Sequence, residues 1–136
     1  MSDFMSVEEV GEPHMLVRRA RTVRGEVRLR KLCAPRFDCA RSQHRVERVE
    51  DGVIFTSRGS DQTALRLRAT VPVEVVNRDA VAVFTLPAGN SADFVLEPAS
   101  LDSASPSCAE DYVSTSFKKT INYWRRWVAR STNQGR

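Results

Sequence analysis

Between residues 15 and 98, apolar and polar side chains alternate with a period of two, and this pattern constrains the fold more than any other feature. Strands that bury one face alternate in this way, and turn residues interrupt the pattern about every ten residues. The pattern predicts an all-β fold, an antiparallel β-sandwich formed by residues 1–98. The longest apolar face in the pattern comprises Leu65, Leu67, Ala69, Val71, Val73 and Val75.

Proline and glycine residues predict where the strands are interrupted. Pro72 falls within the longest apolar face, so it should occupy an edge position or a bulge, because proline cannot donate to a strand ladder. Asp51-Gly52 and Gly89-Asn90 each lie between apolar-rich flanks, and both dipeptides tolerate the backbone of tight hairpins. We therefore expect one hairpin at each dipeptide.

The composition changes after residue 98. Residues 99–113 are rich in serine and alanine, which predicts a surface linker. Helical spacing follows, and it predicts an amphipathic C-terminal linker helix over residues 114–131 and a tail over 132–136. The candidates for the helix N-cap are Ser114, Thr115 and Ser116.

The predicted helix carries an unusually large apolar face close to its end. Ile121, Trp124, Trp127 and Val128 are the residues that we expect to pack against another domain. The alternative is that the helix folds back on its own sandwich, which is an equally good interpretation for Trp124 and a weaker one for Trp127. An uncovered face would make the chain self-associate into homo-oligomers.

Length and cysteine usage exclude several classes of protein. A chain of 136 residues is long enough for one domain, and it has no apolar run of the roughly 18 residues that could span a membrane. Its first residues include acids and no apolar export segment. It has an odd number of cysteines and no Cys-x-x-Cys pair; the cysteines are Cys33, Cys39 and Cys108. We expect a cytoplasmic protein without a disulfide framework, metal site or cofactor.

Basic residues crowd positions 18–48, a distribution that often marks a nucleic-acid surface. In "GEVRLRK", however, Arg28 and Arg30 alternate with Val27 and Leu29, as they would on the solvated face of a strand. No aromatic residue is interleaved for base stacking. Nucleic-acid binding therefore remains the less favoured interpretation.

The sequence contains no catalytic constellation. Its acids are not paired as glycosidase carboxylates are, and it has neither a Gly-x-Ser-x-Gly motif nor a glycine-rich phosphate loop. The prediction is that no catalytic residue lies in this chain.

Five segments together resemble the N-terminal, non-catalytic region of glycoside hydrolase family 15 proteins, the trehalase-like and glucoamylase-like enzymes. They are "SDFM", "VRRARTVRGEVRLRKLCAPRFDCAR" (17–41), "DGVIF" (51–55), "FTLPAG" (84–89) and "TINYWRRW" (120–127). The most specific parts are Cys-x-Pro-Arg-Phe-Asp and Trp-Arg-Arg-Trp. Family members often have tyrosine where this chain has Cys39.

The resemblance implies a truncated piece of a larger, inverting enzyme that acts on trehalose or malto-oligosaccharides. In that family a large β-supersandwich precedes an α/α-barrel, which carries the two catalytic glutamates and would be the partner of this chain. The motif Pro35-Arg36-Phe37-Asp38 then has two interpretations. Arg36 and Asp38 form a buried ion pair that stabilises a turn, or they contact the barrel near its substrate mouth. A stand-alone carbohydrate-binding sandwich remains an alternative function, and it would require exposed aromatic residues on a sheet face.

Overall fold

The computed structural model describes residues 1–7, 14–60, 62–99 and 111–130. This part of the chain forms nine strands, one short 3-10 turn and one α-helix. The strands are β1 (Ser2–Met5), β2 (Leu16–Arg21), β3 (Glu26–Cys33), β4 (His44–Val49), β5 (Gly52–Ser57), β6 (Ala64–Ala69), β7 (Glu74–Val76), β8 (Asp79–Pro87) and β9 (Ser91–Pro98). The 3-10 turn is Phe37–Ala40, and the helix is α1 (Tyr112–Ala129).

The predicted antiparallel sandwich with a C-terminal helix is confirmed. One sheet has six strands in the order β1-β2-β9-β6-β5-β4, and the other has three in the order β3-β8-β7. Every strand pairing in both sheets is antiparallel.

The core lies between the two sheets, where the apolar half of each alternating strand meets the other sheet. Phe55 and Val53 are fully buried there. Burying a side chain of this size contributes about 1.5–3 kcal/mol. The other buried members of this core are Ala20, Phe37, Leu67, Val73, Ala80, Ala82, Leu86, Ala92 and Phe94.

The first predicted hairpin is confirmed, because β4 and β5 pair with Val49 opposite Gly52. Gly52 has a φ of +155°, and a Cβ atom at this position would clash with the carbonyl group of Leu67. The neighbouring strand β6 therefore approaches the backbone of Gly52 too closely for any side chain.

The second predicted hairpin is wrong as a strand pair. Gly89 does adopt a positive φ of +84°, but β8 and β9 lie in different sheets. The N–H of Gly89 donates to the carbonyl of Thr22 at 2.8 Å, and the N–H of Thr22 donates to the carbonyl of Asn90 at 3.1 Å. The pair β2–β9 thus continues into the pair β3–β8, and one ribbon of two strands passes through both sheets.

The longest apolar face is divided between the sheets. β6 ends at Ala69 in the six-stranded sheet and β7 begins at Glu74 in the three-stranded sheet, with Pro72 in the crossing segment. Val73 is buried, whereas Val75 is 40% exposed and does not join the core. The proline break was predicted, and the change of sheet was not.

The helix begins and ends two residues earlier than predicted. Its N-cap is Asp111, whose side chain makes no capping hydrogen bond, and Ser114, Thr115 and Ser116 lie inside the helix. The two serines contribute to the packing of the helix instead. Ser114 Oγ accepts a hydrogen bond from Arg19, and Ser116 is buried. Residues 100–110 of the predicted linker and the predicted tail lie outside the described residues.

Candidate interdomain surface

The first half of α1 packs against the outer face of the six-stranded sheet. Val113 is buried in a second apolar cluster with Met15, Val17 and Val95. The rings of Phe117 and Phe4 lie 5.3 Å apart. The helix therefore has a fixed base on β1, β2 and β9.

Polar contacts add to this base. Arg19 on β2 forms a bidentate ion pair with Asp93 on β9, with both N–O distances 2.7 Å, and its Nη1 donates to Ser114 Oγ at 3.1 Å. One turn and a half further along, Thr120 Oγ1 accepts a hydrogen bond from the N–H of Val7 at 3.3 Å. These bonds join both strands and the segment after β1 to the helix.

The second half of α1 leaves the sheet and is exposed. Tyr123, Trp124, Trp127 and Val128 are 47%, 51%, 58% and 61% exposed. Trp124 packs edge-on against both neighbouring rings, with centroid distances of 5.3 Å to Tyr123 and 5.8 Å to Trp127. Ile121 is half-buried, at the boundary between the two halves. We call residues 121–130 the projecting end of α1.

The structure thus places both tryptophans away from the sandwich core. Folding back on the sandwich does not account for Trp124, because about half of its side chain remains exposed although the helix base is docked. Exposed aromatic clusters with basic neighbours are common at protein interfaces.

The helix is also strongly basic. Residues 112–130 include Lys118, Lys119, Arg125, Arg126 and Arg130, and they include no aspartate or glutamate. A groove of about 450 Å³ beside the projecting end is lined by Val7, Lys119, Asn122, Tyr123, Arg126, Trp127 and Arg130. Its lining combines aromatic rings with cations, and a complementary surface would offer apolar groups and carboxylates.

The motif Pro35–Asp38 does not form the predicted ion pair. Arg36 Nη1 binds Asp79 Oδ1 at 3.0 Å, and Asp38 Oδ1 binds Arg41 Nη2 at 2.8 Å. Asp38 has a φ of 48°, in the left-handed region, so the turn carries its carboxylate away from Arg36. Neither pair is buried, since the side chains of Arg36 and Asp38 are 54% and 49% exposed.

Within the motif, only Phe37 belongs to the core, where its ring lies 5.6 Å from His44. The hydrogen bond from Arg36 lowers the pKa of Asp79. The ion pair between Arg36 and Asp79 therefore connects the start of the 3-10 turn to the start of β8 at the surface, while the Phe37 ring packs in the core.

The outer face of the six-stranded sheet also holds a network of buried charges that the sequence did not predict. Arg68 Nε binds Glu97 Oε1 at 2.7 Å, and Arg68 also binds Asp51. Arg68 and Glu97 are 7% and 3% exposed. The segment "ADFVLEP" did contain an indication of buried charges, because its two acids share one face of an otherwise apolar strand.

A cavity of about 470 Å³ adjoins this network, with Asp51, Arg68, Asp93 and Val113 among its lining residues. Two of the carboxylates that line it are bound to arginine, Asp51 to Arg68 and Asp93 to Arg19, and Glu50 lines it as well. These ion pairs connect β6 to β9 and to the turn between β4 and β5, and they connect β2 to β9.

Among the described residues, no group of three or more histidine, cysteine or acidic side chains could hold a metal ion. α1 is too polar to be a membrane-spanning helix, and no other helix in the described ranges qualifies. Comparisons of the chain with protein-family models, curated proteins and solved structures gave no match.

Proposed function

We propose that the chain is the non-catalytic structural and interdomain module of a glycoside hydrolase family 15-like enzyme. The parent enzyme cleaves α-glucosidic bonds of trehalose or malto-oligosaccharides with inversion, using an acid and a base in its α/α-barrel. The observation that carries the proposal is the projecting end of α1, whose two tryptophans are more than half exposed while the helix base is docked. It is supported by the motifs Pro35–Asp38 and "TINYWRRW".

In this proposal the sandwich supplies a rigid base and the projecting end of α1 is the contact with the barrel. Ile121, Trp124, Trp127 and Val128 pack against barrel helices, and Arg125, Arg126 and Arg130 meet acids at the rim of that contact. The chain alone has no glycosidase activity and needs no cofactor. Its proposed setting is the cytoplasm, in keeping with an odd number of cysteines.

The test is binding in trans to the separately produced α/α-barrel of a family 15 enzyme that lacks its own sandwich. We expect a complex by analytical ultracentrifugation, and at least a tenfold weaker one for the double variant Trp124→Ser, Trp127→Ser. Val23→Ser is the matched control, because Val23 is 80% exposed and lies far from α1 in the sequence. A barrel that does not bind, or that binds the double variant equally well, would contradict the proposal.

A stand-alone carbohydrate-binding sandwich is the second candidate. The described residues with large exposed aromatic side chains, Tyr123, Trp124 and Trp127, all lie on α1 and none lies on a sheet face. We therefore expect no change in the amide NMR spectrum on addition of trehalose or maltoheptaose. Saturable shifts on either sheet would favour this second function.

A further inference from the structure

The three-stranded sheet ends at β3, which is a long edge strand. All eight residues of β3 have partners in β8, from Glu26 opposite Pro87 to Cys33 opposite Ala80. In the described ranges no strand pairs with the other edge of β3. An edge strand of this length presents unpaired backbone groups to any extended segment that approaches it.

Apolar side chains of the larger sheet are also exposed on its core-facing side. Met5 and Leu16 are register partners on β1 and β2, and they are 60% and 48% exposed. They lie on the face of β2 that carries Ala20, which is the face turned towards the sandwich core. A further strand beside β3 would extend the three-stranded sheet over this part of the larger sheet.

A half-buried cation marks the same edge. Lys31 lies between Leu29 and Cys33, which both pack on the core, and its Nζ is 6.0 Å from the centre of the Phe94 ring. Burial lowers the pKa of Lys31, and the positive charge of Arg18 lowers it further.

Asp3, whose charge acts on Lys31, is engaged by Arg18, whose Nε donates to Asp3 Oδ1 at 2.6 Å. Lys31 Nζ donates to the carbonyl of Leu32 at 3.1 Å, and no carboxylate of the described residues lies within ion-pair distance of it. Among the described residues, Lys31 thus has no ion-pair partner of its own at this partly desolvated position.

Two further cations, Arg28 and Arg30, are exposed on the opposite face of β3. They disfavour a second copy of this chain as the occupant of the edge. Any extensive antiparallel register of β3 with itself brings two arginines or two Lys31 side chains opposite each other, and like charges in such pairs are destabilising.

We propose that the open edge of β3 binds an extended acidic segment of another polypeptide by strand addition. Backbone hydrogen bonds to the edge supply affinity, and side chains supply selectivity. Acidic side chains of the segment pair with Arg28 and Arg30 on the outer face, and one carboxylate on the inner face reaches Lys31. The remaining inner side chains are apolar and cover Met5 and Leu16.

The probe is a fluorescein-labelled peptide of eight residues that alternates glutamate and valine, with one valine replaced by glutamate. Its control has lysine in place of every glutamate. Fluorescence anisotropy is measured with the full chain carrying Trp127→Ser, so that association through α1 does not contribute. We expect saturable binding of the acidic peptide, at least ten times tighter than that of the lysine peptide.

The variants locate the site. The double variant Arg28→Glu, Arg30→Glu should weaken binding at least tenfold, and Lys31→Met severalfold, whereas Arg58→Glu, at an exposed arginine outside β3, should leave it unchanged. Hydrogen exchange of β3 amides should slow when the peptide binds. Because Arg28 and Arg30 are exposed, their double variant should fold even if Lys31→Met does not.

Three results would overturn the proposal. The first is that the acidic peptide does not bind, or binds no more tightly than the lysine peptide. The second is that the peptide slows hydrogen exchange on α1 and not on β3. The third is that the chain dimerises with protected β3 amides when no peptide is present. This proposal concerns the sandwich and not α1, so it can fail while the proposed function stands.

Discussion

One aromatic pair in the sandwich and one on α1 have nearly the same ring separation and differ in exposure. Phe84 and Phe94 lie 5.7 Å apart between the sheets, and Trp124 and Trp127 lie 5.8 Å apart on the projecting end of α1. Phe94 is 3% exposed, whereas the two tryptophans are 51% and 58% exposed. The distance between two rings alone therefore does not show whether an aromatic pair stabilises the domain or is exposed to a partner.

The largest expected difference is between Phe94→Ala and Trp124→Ala. Loss of the buried ring should lower the free energy of unfolding by about 3–5 kcal/mol, through lost burial and a cavity. Loss of the exposed ring should change it by less than about 0.5 kcal/mol. Urea unfolding followed by circular dichroism measures both, and comparable losses would mean that the projecting end of α1 belongs to the core.

A valine-to-alanine substitution at each end of α1 should give a smaller difference in the free energy of unfolding. Val113→Ala should lower the free energy of unfolding by about 1.5 kcal/mol, because Val113 is buried against the sheet and loses two methyl groups. Val128→Ala, at a side chain that is 61% exposed, should have almost no effect. Thermal unfolding would decide between the two, and equal effects would contradict a docked base with a free end.

The pair between Arg36 and Asp79 predicts a small dependence of stability on pH. Arg36 lowers the pKa of Asp79 below its usual value of 3.8 in the folded chain, so the contribution is complete above that value and is lost as the pH falls through the folded pKa. Asp79→Asn should remove this part of the acid destabilisation, with a smaller effect than Val113→Ala because the pair is partly exposed.

Arg36→Gln provides the check on that assignment. Both single variants and the double variant should show the same flattened profile in urea unfolding between about pH 5 and 3, because each breaks the same pair. A wild-type profile in Arg36→Gln would show that Asp79 owes its stability contribution to another group.

Trp127→Ser should have little effect on stability and a clear effect on association. We expect wild type to self-associate at micromolar concentration in sedimentation velocity, because an exposed aromatic patch lacks its partner. The variant should sediment as a monomer, with its free energy of unfolding within about 0.5 kcal/mol of wild type. Val23→Ser should still self-associate, and a strictly monomeric wild type would contradict the prediction.

Local patterns in the sequence predicted the features that depend on neighbouring residues. The alternation predicted the strands, Asp51-Gly52 predicted the hairpin between β4 and β5, and the spacing of Trp124 and Trp127 placed both on one side of a helix. Each of these depends on steric and turn preferences that act over a few residues.

Features that depend on distant residues were not predicted. The turn chemistry of Gly89-Asn90 is the same whether the next strand pairs or crosses to another sheet, so the sequence could not distinguish the two. Arg36 finds its partner in Asp79, 43 residues away, rather than in the acid two residues on. The position of β3 at an edge follows from the strand order of its sheet, which no single segment encodes.

The ribbon that passes from β2–β9 into β3–β8 has a consequence for how the domain unfolds. Its two strands are hydrogen-bonded at Thr22, Gly89 and Asn90, where they pass from one sheet to the other. Neither sheet can therefore unfold without disrupting strand pairs that continue into the other sheet. The ribbon joins residues that are 47 to 80 positions apart, from Cys33 opposite Ala80 to Leu16 opposite Leu96, so we expect its closure to be a slow step in folding. The two sheets should therefore lose their amide protection together, in one cooperative transition.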